Sequence, residues 1–305
     1  MTTLDEPIMT FQAYLEAGGD RGLGAEGGSP PYAHPMDGWI LKTLDAMPVK
    51  HVLDTAIDTL ISVQLGRFIA QSIPIDHKSF PQLYELVSEC SERLGIAVPH
   101  ALMGSFGGSF NAFTAGTDEY NFLFVTDGLL KHFPLPEAHF VVGHECGHIA
   151  AKHLIYHTLL EAMTDTALGI LRPAARMLRL VAGTALLAWS RRSEITCDRA
   201  GLLCCGDLQV AERALVGLVA GFAGAKEVDI DQYLRRYREM SDYHGASAWQ
   251  ELFYTHPMIP KRIEGLRLFA RSELYFELRR EAAPAGVELL SRAELDQLTG
   301  ELVRP

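Results

Sequence analysis

The run His144-Glu145-Cys146-Gly147-His148 places two imidazoles four residues apart with a carboxylate between them, and that spacing calls for a helix. At about 3.6 residues per turn, positions i and i+4 lie one above the other on one face. Two neutral histidine nitrogens then reach a single metal ion. Glu145 projects beside them, towards the water that such an ion activates.

Zinc held by two histidines needs a third protein ligand and an open fourth position. With His144 set at zero, His148 falls at about 40° and Glu145 at about 100° around the helix, whereas His153 and His157 fall at about 180° and 220°. The latter pair therefore reads as surface or packing histidines on the far side. The third ligand has to come from a separate helix. Downstream, Glu194 and Asp198 stand at i and i+4 within Arg191-Arg192-Ser193-Glu194-Ile195-Thr196-Cys197-Asp198-Arg199-Ala200-Gly201. Two carboxylates on one helix face repel when merely solvated. A cation and a histidine N–H remove that repulsion. Glu194 as ligand, with Asp198 accepting from a ligand histidine's other ring nitrogen, meets the need for oriented imidazoles. The plainer alternative is a solvated acidic face paired with Arg191 and Arg192. Gly201, one turn further on, allows another backbone to approach closely.

The rest of the chain narrows the class. A formal net charge of −11 over 305 residues leaves no basic surplus for phosphates, which argues against a nucleic-acid partner. Five cysteines, an odd number without framework spacing, fit reduced thiols in a cytoplasm. Cys146 and Cys197 lie inside the two motifs but out of phase with the ligands, and read as small core residues. The first residues lack a basic stretch followed by an apolar run, as a secretory signal would require. No stretch approaches the ~20 apolar residues of a membrane span. A cytoplasmic protein without transmembrane segments is the expectation.

The organisation is read as three parts. Residues 1–48 are expected to form a flexible N-terminal arm, because 17–35 is rich in glycine and proline. Residues 49–272 carry the catalytic domain, and 273–305 a C-terminal helical extension. Apolar spacing predicts a helix over 49–72, then a second from a Ser79/Gln82 capping box to Gly95. Short β-branched or aromatic runs at 96–103, 109–115 and 120–126 predict a meander of strands. A helix from about Glu137 to Ala162 carries the histidines, and Asp207 and Ser291 are helix caps. The fold class is α+β, mostly helical, with a small antiparallel sheet.

Four blocks in order carry a resemblance: Asn111-Ala112-Phe113, His144 to His148, Glu194 to Asp198, and His256-Pro257 with Arg262. The chain resembles the HtpX-like and prenyl-protein-protease family of zinc metallopeptidases, which belongs to the gluzincins. The resemblance implies a zincin fold whose edge strand lines the cleft, and one Zn2+ per chain bound by His144, His148 and Glu194. It implies Glu145 as general base, Asp198 in support of a ligand, and Asn111, Ala112 and Phe113 on substrate backbone. His256 would point into the cleft as a second catalytic group. Arg262, grouped with the substrate-binding residues, is read as able to pair with a carboxylate near the site, its partner unassigned. The expected function is endopeptidase action on a peptide or unfolded protein.

Many relatives carry transmembrane helices, whereas residues 164–190 here are interrupted by Arg172, Arg176 and Arg179. Those arginines share a helical face that either lies in water or makes weak peripheral contact with anionic lipid. The alternative function is a latent or non-proteolytic zinc-binding module for quality control.

Overall fold

The computed structural model describes residues 29–38, 42, 66, 68–105, 112–116, 120–154, 156–157, 172–243 and 258–303. The fold is α+β and mostly helical. Strands β1 (Ser72–Pro74), β2 (His100–Gly104), β3 (Ala112–Gly116) and β4 (Asn121–Thr126) form one sheet in the order β1-β2-β4-β3. β1 pairs with β2, and β3 with β4, antiparallel; β2 and β4 run parallel, with His100 opposite Phe122 and Gly104 opposite Thr126. The sheet is thus mixed, where an antiparallel meander was expected. The reason lies in β4, whose Phe122-Leu123-Phe124-Val125 run is buried throughout. A strand apolar on both faces belongs inside a sheet, not at its edge. β3 takes the edge position instead.

Helices follow in the order α1 (Pro81–Leu94), α2 (Asp127–His132), α3 (Leu135–Ala150), α4 (Arg172–Cys205), α5 (Leu208–Ala225), α6 (Ile230–Tyr243), α7 (Ile259–Ala270), α8 (Glu273–Arg279) and α9 (Arg292–Leu302). The Asp207 carboxylate accepts from the N–H groups of Gln209 and Val210, and Ser291 with Glu294 forms the expected capping box. Thr126 caps α2, its hydroxyl oxygen accepting from the Leu129 N–H. The Ser79/Gln82 box does not form: Phe80 precedes α1 at φ 62°, and the Ser79 N–H donates to Asp76 Oδ1 at 2.7 Å. The helix expected over 49–72 lies mostly outside the described residues, and Ser72 already begins β1.

α3 and α4 cross almost without side chains between them. A Cβ on Gly147 would meet the Ala200 Cβ at 2.7 Å, and one on Gly201 would meet the Phe140 carbonyl oxygen at 2.8 Å. Glycine is required there because the two backbones touch. α3 ends at Ala150, well short of the expected Ala162. Lys152, at φ 58°, reverses the chain, and the His153 N–H donates to the His148 carbonyl at 3.0 Å.

Of the first 48 residues, the described stretch 29–38 is packed against α4. Tyr32, His34 and Asp37 are buried. The Arg199 guanidinium on α4 donates to the Tyr32 carbonyl at 3.0 Å and to Thr299 Oγ1 on α9 at 3.1 Å. One buried arginine therefore ties 29–38 and the C-terminal helix to the same turn of α4. Among the described residues, no helix is long and apolar enough to cross a membrane. The side chains of Arg172, Arg176 and Arg179 lie outside those described.

Candidate metal centre

α3 presents His144 and His148 on one face, and α4 brings Glu194 opposite them. His144 Nε2 lies 3.6 Å from Glu194 Oε2, and His148 Nε2 lies 3.6 Å from Glu194 Oε1. One ligand atom from each of the three residues falls within 4.8 Å of the others. Two donors at about 2.0–2.1 Å from a tetrahedral ion lie about 3.4 Å apart. The residues therefore fit a small ion of the zinc type in both spacing and donor chemistry. His144, Glu145 and His148 are 7–8% exposed, against 1% for Glu194 and Asp198. The α3 side chains are thus the less deeply buried side of the centre, and those of α4 the deeper side.

Both imidazoles are oriented from behind. His144 Nδ1 lies 3.0 Å from Asp198 Oδ1 and donates to it, which leaves the Nε2 lone pair turned to Glu194. Arg262 grips Asp198 with two donors, at 2.8 and 2.6 Å, and places Nη1 3.1 Å from Glu194 Oε2. Burial pushes the Asp198 carboxyl up, but Arg262 and the His144 hydrogen bond outweigh it and hold it below the usual carboxylate range. Burial, with its imidazole neighbours, holds His148 well below the usual histidine value, so its ring is neutral.

Beyond His148, Nδ1 meets Nδ1 of His153 at 3.1 Å. His153 Nε2 in turn lies 2.9 Å from Asp37 Oδ2. From the sheet, Thr114 Oγ1 of β3 donates to Glu145 Oε2 at 3.1 Å.

Residues 77–270, well over half of the chain, match the family described as Peptidase family M48. The chain belongs to peptidase family M48. It is 27% identical over 265 residues to the plastoglobule-localized metallopeptidase 48 of Arabidopsis thaliana, covering 82% of this chain and 75% of that protein. It is 25% identical over 221 residues to a protease HtpX homolog of Methanopyrus kandleri, covering 62% of this chain and 67% of that one. Against a protease HtpX homolog of Burkholderia lata it is 27% identical over 222 residues, covering 65% and 77%. The chain is therefore an HtpX-like metallopeptidase, a class that implies a bound metal and peptide or protein substrates.

Within this M48 domain the sequence-derived site residues fall into four groups. His144, Glu145, His148, Glu194 and Asp198 come together. Asn111 and His256 lie outside the described residues. Ala112 and Phe113 lie on edge strand β3, where the Phe113 ring stacks on Phe124 at 4.8 Å, on the face away from Thr114. Arg262, grouped with the substrate-binding residues and read as able to pair with a carboxylate near the site, is buried and engaged with Asp198 and Glu194, the acidic pair on α4 that sequence did not assign to it.

Three residues escaped sequence reasoning. His153 is fully buried against His148, not on the far side of a helix, because helical phase cannot be carried past Ala150. Asp37 carried no signal in a stretch rich in glycine and proline. Thr114 could have been found, since strand alternation puts it on the same face as Ala112 in the block already singled out. Cys146 and Cys197 are buried free thiols, as expected of core positions.

Proposed function

We propose that the chain is a zinc-dependent endopeptidase in which His144, His148 and Glu194 bind one zinc ion and Glu145 is the general base. The observation that carries this reading is the convergence of the two Nε2 atoms on the two Glu194 oxygens, 3.6 Å each. Zinc held there supplies an electrophile for the scissile carbonyl and lowers the pKa of a water to about 7.

The side chains of the chain do the rest. Glu145 takes the proton of the attacking water and delivers it to the leaving nitrogen. Thr114 fixes one Glu145 oxygen, which aims the other at the reacting groups. Asp198, clamped by Arg262, holds His144 in the tautomer that binds through Nε2. Edge strand β3 is suited to take an extended peptide as a further strand, which favours an unfolded polypeptide as substrate. The resemblance adds Asn111 to that strand and points His256 into the cleft, where an imidazole N–H can supply the donor that the oxyanion needs.

The test is digestion of an unfolded protein by the full chain and by Glu145→Gln. The variant should keep its zinc and lose at least about 100-fold in kcat. Cleavage by the variant at the parental rate would sink the mechanism and favour the non-proteolytic reading. Glu194→Ala should lose zinc, and unchanged metal content would remove Glu194 from the ligand set.

A further inference from the structure

A neutral imidazole has one N–H and one lone pair, so His148 can offer Nε2 to a metal only when its proton sits on Nδ1. That Nδ1 faces Nδ1 of His153 at 3.1 Å. One of the two facing nitrogens must donate and the other accept. His153 Nε2 lies 2.9 Å from Asp37 Oδ2, and an ionised carboxylate only accepts. The His153 proton therefore belongs on Nε2, which leaves its Nδ1 bare and turned to His148. The opposite assignment would set a lone pair of His153 against the Asp37 carboxylate. It would also drive the His148 proton onto Nε2, the atom that faces Glu194.

Asp37 is held to this task by α4. The Trp189 indole N–H donates to Oδ1 at 2.7 Å, and the Thr196 hydroxyl donates to Oδ2 at 3.0 Å. Asp37 and His153 are 1% and 0% exposed, so water does not compete for these bonds. The backbone N–H of His34 donates to Thr196 Oγ1 at 3.0 Å, which anchors the segment next to Asp37.

We propose that Asp37, acting through His153, is a positioning residue of the metal centre, which fixes the tautomer and ring plane of His148. A residue outside the M48 match at 77–270 thus supports one of the ligands, as Asp198 supports the other. The proposal rests on the reading of His148 as a zinc ligand.

Two measurements test it. In the zinc-loaded, 15N-histidine-labelled chain, long-range 1H–15N correlations should show His153 protonated on Nε2 alone and His148 protonated on Nδ1. A His153 protonated on Nδ1, or on both nitrogens, overturns the proposal without any variant. Asp37→Asn keeps the shape but must turn an NH2 towards one of three donors. Zinc affinity, read by chelator competition, should fall about 10- to 100-fold, and the visible spectrum of the cobalt-substituted protein should change. An Asp37→Asn protein with parental zinc affinity and cobalt spectrum overturns the relay alone. A parental chain that takes up no zinc overturns the ligand reading first, and the two failures are told apart by that result.

Discussion

Thr114 Oγ1 lies 3.1 Å from Glu145 Oε2, so a hydroxyl of the edge strand and the carboxylate between the two histidines share a hydrogen bond. The strand that would carry a substrate and the group that would move its proton are thereby set in one frame. Thr114→Val keeps the β-branched shape and removes the donor. Hydrogen bonds to charged groups contribute about 1.5–3 kcal/mol, so kcat/KM should fall about 10- to 100-fold with zinc content unchanged. Steady-state kinetics beside a metal assay decides it; a variant as active as the parent would free Glu145 from this contact.

Arg262→Gln strips two buried carboxylates of their guanidinium. Removing one partner of a buried ion pair costs about 3–5 kcal/mol. The pH dependence follows from the Asp198 shift. Its carboxyl is held low in the fold, so it adds stability above the ordinary carboxylate pKa and loses it as pH falls through the lowered value. Without Arg262, burial dominates and Asp198 titrates at higher pH. The acid-unfolding midpoint of the zinc-free protein, followed by circular dichroism, should therefore move up. A midpoint at the parental pH would contradict the assignment of Arg262.

Gly147→Ala inserts a methyl where the Ala200 Cβ would be 2.7 Å away and the Cys197 Cα 3.1 Å away. Overpacking of this kind costs about 1–3 kcal/mol. Because α3 carries His144 and His148 and α4 carries Glu194, the three proposed ligands, zinc affinity should drop together with the melting temperature. Calorimetry with chelator competition reads both, and a loss of stability without weaker zinc binding would separate the helix crossing from the metal site.

Arg199→Ala leaves the Tyr32 carbonyl and the Thr299 hydroxyl without their donor. At about 1.5–3 kcal/mol for each charged hydrogen bond, the first effect should be local. Limited proteolysis should cut near 29–38 and around α9 before the rest of the domain. Cleavage that begins elsewhere would show that these ends are held by other contacts.

The metal centre was legible where its chemistry is written in helical spacing. His144, His148, Glu194 and Asp198 need only a period of about 3.6 residues to share faces, and both stretches are helical. The sheet order was less legible, because the parallel pairing of β2 with β4 is a tertiary choice, marked only by the unbroken apolar run of β4. His153 was lost at the end of α3: no glycine or proline announces the stop at Ala150, and Lys152 turns in a conformation rarely taken by a non-glycine residue. Arg262 was legible as a partner for a carboxylate near the site, but which one was not, because charge alone does not tell which carboxylate a long side chain will meet. Asp37 sits where composition predicts a loose arm, and composition does not register a buried hydrogen bond to a residue more than a hundred positions away.

That last separation bears on how the protein matures. The contacts of Asp37 reach His153 across 116 residues and Thr196 across 159, and Arg199 meets Tyr32 across 167. Loops of that length close late, since their entropy is lost before the contact repays it. The helices of α3 and α4 can pair through local collapse, but the backing of His148 waits until the beginning of the chain returns to them. On the reading of His148 as a zinc ligand, the support that Asp37 gives it through His153 is then among the last contacts to form.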